Sequence, residues 1–297
     1  MRWRVSVADA VAEPAVPPLR DVIARHGIQA RKSLGQNFLF DTNLLGRIAR
    51  AVGDAGERDV VEIGAGPGGL TRALLAHGAR RVVAIERDPR CVAALDELAA
   101  AFPERLVVVE GDARTVDARR WATPPYVIAG NLPFNVASPL IVGWLARPHE
   151  IGAMVVMVQR EVADRLTAER GGKDYGRLAV LAQWRWRAAR LFDVPARAFV
   201  PPPKVTASVV RFEPRPAALA EADPRALERV LAAAFGQRRK MLRSSLRALG
   251  VPVEALAAAA GIDLALRAEA LTIPEFCALA RAFARLGPAR GLATGAV

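Results

Sequence analysis

Cysteine and histidine are scarce in this sequence. Its two cysteines, Cys91 and Cys277, stand far apart, with no Cys-x-x-Cys or Cys/His spacing. That excludes a disulfide framework and a zinc site, and it points to a reducing compartment. The three histidines, His26, His77 and His149, are scattered, and each reads as a surface residue rather than a ligand or base. No metal is expected. No apolar run approaches the ~20 residues of a membrane span. The opening stretch, MRWRVSVADAVAEPAVPP, lacks the apolar core of a secretory signal, and its Asp9 and Glu13 argue against an organelle leader. Residues 1–18 therefore read as a flexible lead-in, and a cytoplasmic location is expected. Aromatics make up only 6% of the chain, yet hydrophobic residues make up 52%, which is an alanine-rich globular composition and not a disordered one.

Negative charge is also in deficit. The formal net charge is +12, most of it from arginine. Basic proteins of this kind meet polyanions, because each neutralised phosphate releases condensed counterions. The plainer reading is a soluble enzyme from an arginine-rich proteome. Charge alone favours nucleic acid.

The 297 residues are enough for a large α/β domain and a small second one. Apolar, β-rich runs occur at 60–64, 81–88, 106–113, 126–131 and 153–159, with helix-like segments between most of them. Near-continuous apolar strands alternating with helices predict a parallel sheet buried on both faces. RLFDVP (190–195) and ASVVRFEP (207–214) have only a loop between them, which predicts an antiparallel pair at the sheet edge. WRWRAAR (184–190) alternates Trp and Arg, a pattern that fits an edge strand at least as well as an RNA platform. From Asp223 onward the chain reads as short helices, the first opened by an Asp cap and a Pro. A boundary near 217 separates a domain over 19–217 from an all-α C-terminal domain over 218–297.

VVEIGAGPGGLT (60–71) reads as a strand, a glycine-rich turn and a helix start, with Gly64, Gly66 and Gly69 in Gly-x-Gly-x-x-Gly spacing. Alone this also fits a dinucleotide fold. Three carboxylates weigh against it: Glu62 in the strand, Glu86 after the next, and Asp112 after the third. Each taken singly is a turn or cap residue. Together they suit S-adenosyl-L-methionine, which has cationic groups and no pyrophosphate to repel. Glu86 can accept from the ribose hydroxyls, and Asp112 from the adenine amine. The glycines let backbone approach the ligand without a Cβ.

The fourth strand ends in Asn131-Leu132-Pro133-Phe134. As a plain turn this is unremarkable. It also resembles the Asn-Pro-Pro-Tyr type motif of methyltransferases that act on nucleobase amines. An exocyclic amine is a poor nucleophile, because its lone pair is delocalised into the ring. The Asn131 side-chain oxygen and the Leu132 carbonyl can accept its two hydrogens and localise that lone pair. Pro133 stiffens the turn, and Phe134 can stack on an extruded base.

RKSLGQNFLFD (31–41), VEIGAGPGGLT, GDA (111–113), NLPFN, MVQREVADRL (157–166), YGRLAVLAQ (175–183), AFVPPPKVTASVVRF (198–212) and FGQRRKMLRSSL (235–246) together resemble one family. It is the small-subunit ribosomal RNA adenine dimethyltransferase family, and the likeness covers roughly residues 20–286. The resemblance implies an α/β fold with a Rossmann-like class I methyltransferase sheet and S-adenosyl-L-methionine as cofactor. It implies two methylations on each of two adjacent adenosines in the 3′-terminal hairpin of 16S rRNA, within an assembling small subunit. It places Asn37 and Leu39 in a loop over the methionine end of the cofactor, with Gly64 and Gly66 lining that end. Glu86 and Asp112 hold ribose and adenine, with Ala113 beside them. Asn131, Leu132, Pro133 and Phe134 hold the target amine, Asn131 also touching the cofactor, and Phe199 forms a second aromatic wall. The family usually has tyrosine where Phe134 stands, so the stacking face is kept and a hydroxyl is lost. The lead-in before about Pro17 exceeds the usual family start.

Arg239, Arg243 and Arg247 fall at i, i+4 and i+8, which predicts a basic stripe on one helix face. With the resemblance it reads as an rRNA-backbone contact; without it, as a solvated charged face. A monomer is expected. Three rivals stand beside this reading. One is a 23S rRNA adenine methyltransferase of the antibiotic-resistance type. Another is a non-catalytic ribosome-assembly factor. The last is an NAD-dependent oxidoreductase.

Overall fold

The computed structural model describes residues 16–53, 55–134 and 136–287. Most of the expected lead-in, residues 1–15, lies outside the described residues. The strands are β1 (Phe38–Leu39), β2 (Asp59–Ile63), β3 (Arg81–Glu86), β4 (Leu106–Glu110), β5 (Tyr126–Asn131), β6 (Ile151–Gln159), β7 (Trp186–Val194), β8 (Phe199–Val200) and β9 (Ala207–Pro214). The helices up to the last strand are α1 (Leu19–Arg25), α2 (Thr42–Ala51), α3 (Gly69–Ala76), α4 (Pro89–Ala101), α5 (Ala137–Leu145), α6 (Arg160–Leu166) and α7 (Arg177–Trp184). After it come α8 (Pro224–Gly236), α9 (Leu242–Ser245), α10 (Val253–Ala260) and α11 (Ile273–Leu286).

The main sheet has the order β4-β3-β2-β5-β6-β9-β7. The first five are parallel, as the strand–helix alternation predicts. Their residues alternate between two cores, because a strand turns successive side chains to opposite faces. Val60, Val82, Val127 and Val155 lie in one core. Val61, Val83, Ile128 and Val156 lie in the other. The later strands β7 and β9 are antiparallel, and the outermost is β7. The Trp/Arg alternation resolves into an edge strand. Trp184 ends α7, Trp186 starts β7 fully buried, and Arg187 and Arg190 are exposed.

Strand order reverses at β2, which has β3 on one side and β5 on the other. In such sheets the crevice for a ligand opens beyond the carboxyl ends of the strands at that reversal. Close approach there demands glycine at 130. A Cβ on Gly130 would come within 2.5 Å of the Ile63 carbonyl oxygen on β2.

The expected cap of α8 is present: Asp223 accepts from the Ala226 N–H, with Pro224 in the first turn. The C-terminal helices share one core with α7. Tyr175, Val180, Leu181 and Trp184 are buried with Leu227, Leu242, Leu246 and Phe276. The connector after β9 is pinned to the end of α7. The Leu219 N–H donates to the Trp184 carbonyl at 3.0 Å, and Trp184 Nε1 donates to the Ala220 carbonyl at 2.7 Å.

The arginine stripe is not built as a continuous helix. α8 stops at Gly236, Arg239 lies in the turn that follows, Arg243 is in the short α9, and Arg247 is in a 3₁₀ turn over Leu246–Leu249. The reason is local. The chain makes an antiparallel bridge between Met241 and Arg267, and the Leu242 N–H donates to the Leu266 carbonyl at 2.8 Å. That bridge holds extended backbone where one helix would have to run. All three arginines remain exposed.

Candidate active site

The turn after β2 is built on left-handed backbone at Gly64 (φ 68°) and Gly66 (φ 56°). Only glycine adopts this without strain. A Cβ at Gly66 would also press to 3.2 Å on the ring of Phe38. The turn leans on β3: the Gly64 N–H donates to the Ile85 carbonyl at 2.9 Å.

Glu86 ends β3 and is buried, 6% exposed. One of its carboxylate oxygens accepts from the Gly66 N–H at 2.8 Å. The other accepts from the N–H groups of Arg87 and Asp88, each at 2.8 Å. The carboxylate thus ties the tip of β2 to the tip of β3. It also directs a negative charge at the N–H of the glycine turn, where a dinucleotide fold would receive a pyrophosphate. The Glu86 carbonyl accepts from the Gly111 N–H at 2.9 Å, which sets the loop carrying Asp112 beside it.

Asp112 is half-buried, and the Arg114 guanidinium beside it, with Arg87 further off, holds its carboxyl down at about 2. Arg114 Nη2 stands 2.6 Å from Asp112 Oδ2. Glu62 behaves differently. It lies in the floor of the cleft, 1% exposed, and accepts from the Thr71 hydroxyl at 2.6 Å. Burial, with the Glu86 charge nearby, pushes its carboxyl up to about 8, against the lowering effect of Thr71. Glu62 is therefore neutral at pH 7 and adds no charge to the acidic rim.

This carries a prediction. Unfolded, Glu62 ionises above its ordinary value of 4.5; folded, it keeps its proton to about 8. Across that window folding takes up a proton, so its contribution falls as pH rises, by about 1.4 kcal/mol per pH unit at most. Glu62→Gln keeps an oxygen for Thr71 and does not titrate. Its stability relative to the parent is expected to rise between pH 5 and pH 8, read by denaturant unfolding. A constant difference would show that the buried carboxyl is not neutral.

Asn131 ends β5, half-buried, and its Nδ2 donates to the Asn37 carbonyl at 2.9 Å. Leu132 is buried, and its N–H donates to the Met157 carbonyl on β6. Pro133 starts the turn into α5, its carbonyl accepting from the N–H groups of Val136 and Ala137. Phe134 is half-buried against the core. Asn37, Leu39, Gly64, Gly66, Glu86, Asp112, Ala113 and the run from Asn131 to Phe134 all line the same cleft.

Phe199 is not among them. It is 2% exposed and belongs to the core. The cause is a pairing that the sequence does not announce. β8 joins β1 antiparallel, Phe199 opposite Leu39 and Val200 opposite Phe38, and this strap turns the Phe199 ring inward. The arginines at 239, 243 and 247 do not line the cleft either. Two contributors went unread. Phe38 walls the cleft against Gly66, and Gln36 anchors the loop before it. Both sit in the Gln-Asn-Phe-Leu run, where adjacency to Asn37 and Leu39 was the available signal.

Comparison with known proteins bears on the chain as a whole. The family model for ribosomal RNA adenine dimethylase matches residues 27–285. The chain belongs to that family. A ribosomal RNA small subunit methyltransferase A from Rhodospirillum rubrum is 57% identical over 94% of this chain and 96% of its own length. The crystal structure of a dimethyladenosine transferase from Plasmodium falciparum superposes with a TM-score of 0.73 at 24% identity, covering 84% of this chain and 98% of that one. The 23S rRNA methyltransferase ErmE gives 0.62 at 27% identity, covering 84% and 100%. The adenine dimethylase family thus accounts for the fold and for the enzyme class, an S-adenosylmethionine-dependent methyl transfer to ribosomal RNA adenine, and it displaces the oxidoreductase reading.

The cleft suits the cofactor of that family on its own chemistry. Its glycine turn offers Cβ-free backbone, and its rim carries the Glu86 and Asp112 carboxylates, acceptors for hydroxyls and an amine. No helix among the described residues is long and apolar enough to cross a membrane.

Proposed function

We propose that this chain dimethylates two adjacent adenosines in the 3′-terminal hairpin of 16S rRNA, during small-subunit biogenesis in the cytoplasm, as a monomer. The observation that carries the chemistry is Asn131: a side-chain amide at the tip of β5, tethered through Nδ2 and facing the same cleft as Glu86 and Asp112. The choice of small over large subunit rests on the Rhodospirillum rubrum relative, matched at 57% identity, against 27% for ErmE.

S-adenosyl-L-methionine supplies an electrophilic methyl group when bound. In this reading Glu86 accepts a ribose hydroxyl and Asp112 the adenine amine, with Ala113 beside them. Asn37, Leu39, Gly64 and Gly66 enclose the methionine end. Three of Glu86's acceptor sites are taken by backbone N–H groups, so its share in the ribose is smaller than two full hydrogen bonds. For the adenine amine to reach Asp112, the Arg114 guanidinium swings off it. The Asn131 oxygen and the Leu132 carbonyl accept the two hydrogens of the target amine, localise its lone pair and aim it in line. Pro133 keeps that turn stiff, and the ring of Phe134 stacks on the extruded base. The amine loses its proton easily once alkylated, so no strong base is needed. The helices between Pro224 and Leu286, with Arg239, Arg243 and Arg247 exposed, anchor rRNA phosphates from a turn, the short α9 and a 3₁₀ turn rather than from one helix face.

The deciding experiment is methyl transfer from labelled S-adenosyl-L-methionine to undermethylated small subunits, with large subunits and naked 23S rRNA in parallel. Dimethyladenosine mapped to the 16S 3′ hairpin supports the reading. Label in 23S rRNA supports the resistance-type alternative, and no label with intact cofactor binding supports an assembly factor. Glutamine at Arg239 and Arg243 is expected to weaken subunit binding and flatten its dependence on salt by up to ~2 in the log–log slope. An unchanged slope removes these arginines from the RNA surface.

A further inference from the structure

Residues 31–37 form a tight loop, closed by the Leu34 and Gln36 N–H groups on the Arg31 carbonyl and braced from outside by the Gln36 side chain. Gln36 Oε1 accepts from the Arg31 N–H at 2.9 Å, and Gln36 Nε2 donates to Asp88 Oδ2 at 2.9 Å. Both ends of its amide are thus committed to protein. Asp88 is a firm anchor: it is fully buried, caps α4, and is gripped by the Arg90 guanidinium at 2.6 Å. The next residue, Asn37, presents the carbonyl that accepts from Asn131 Nδ2. Two hydrogen bonds, joined by the Gln36–Asn37 peptide bond, therefore connect the cap of α4 to the amide at the tip of β5.

That last bond decides which end of the Asn131 amide is available. With Nδ2 facing the Asn37 carbonyl, Oδ1 is the end left for a target amine. The flipped amide would set two oxygens against each other. If the loop swings away, the amide loses its only bias toward the reactive orientation among the hydrogen bonds described.

We propose that the loop over the cofactor and the catalytic amide are one coupled device. Order in residues 31–37, clamped by Gln36 to Asp88, orients Asn131 for methyl transfer. This makes Gln36 a positioning residue. The inference rests on the reading of Asn131 as the group that holds the target amine. By linkage, whatever orients Asn131 also holds the loop down, so cofactor affinity and amide orientation change together.

Two measurements test it. The first is single-turnover transfer by Gln36→Ala at saturating S-adenosyl-L-methionine. A fall of roughly 10-fold is expected, short of the ~100-fold that a full ångström of misplacement can cost. A loss confined to cofactor affinity, with the saturated rate unchanged, would mean that Gln36 merely shapes a binding loop. The second compares Asn131→Asp with Asn131→Ala for equilibrium binding of S-adenosyl-L-methionine at pH 8. Aspartate sets an oxygen against the Asn37 carbonyl and pushes the loop out, so it is expected to bind at least about 3-fold more weakly than alanine, a cost below one unmade hydrogen bond. An uncoupled carboxylate beside a cationic ligand gives the opposite order, and that order overturns the proposal. Neither binding result depends on transfer. Persistence of transfer in Asn131→Ala would instead remove the amine-holding role while leaving the loop coupling measurable.

Discussion

Replacing Asn131 with alanine is expected to lower single-turnover methyl transfer by at least ~100-fold, the scale seen when one preorganised hydrogen-bonding group is removed from a reacting centre. Cofactor binding should survive and weaken only a few-fold. The contrast follows from placement. Asn131 ends β5 and lines the cleft, but the glycine turn, Glu86 and Asp112 reach it from other strands. Those contacts remain in the variant. What disappears is the tether to the Asn37 carbonyl and, on the proposed reading, the acceptor for one amine hydrogen. The measurement is transfer from labelled cofactor to undermethylated small subunits, paired with calorimetric binding of the cofactor. Equal loss of both would make Asn131 a cofactor residue and nothing more.

Glu86→Ala is expected to damage fold and site together. The carboxylate receives three backbone N–H groups, from Gly66, Arg87 and Asp88. Removing it strands three donors, each costing about 1–3 kcal/mol when left without a partner. Water entering from the cleft relieves part of this, so a loss of roughly 3–5 kcal/mol is expected in denaturant unfolding. Glu86→Gln keeps one acceptor oxygen and should lose about half as much. Cofactor binding should fall in both. A Glu86→Ala protein as stable as its parent would show that the turn after β2 holds itself, without the bridge to β3.

The gathering of the candidate site residues in one cleft was legible because each of its parts sits at the end of a long, regular strand. A glycine turn after VVEI, a carboxylate after VVAI and an amide after YVIAG announce themselves once the strands are recognised. The sheet edge was legible for the same reason. What stayed hidden depends on contacts between short or irregular pieces. The burial of Phe199 follows from a strap of two-residue strands, β1 and β8, far apart in the chain and too short to show a period. The arginine stripe assumed that helical spacing continues through Lys240 and Met241, where the bridge to Arg267 imposes extended backbone. The proton on Glu62 needs the walls of a folded core around it; in sequence it looks like one more acidic residue. Gln36 stood inside a motif already in view, but the Asp88 it grips lies 52 residues away.

The shared core of α7 and the C-terminal helices has a consequence for substrate choice. Trp184 is buried among those helices, while the connector from β9 is stitched to its backbone and ring nitrogen. Among the described residues no slack tether lies between the basic segments and the cleft. On the proposed RNA reading, the molecule would work as a fixed gauge. If the exposed arginines seat rRNA phosphates as proposed, an adenosine would be selected by its distance from those phosphates and not by its neighbours' base edges. An RNA with the right hairpin at the wrong span would dock and still hold its amine out of reach.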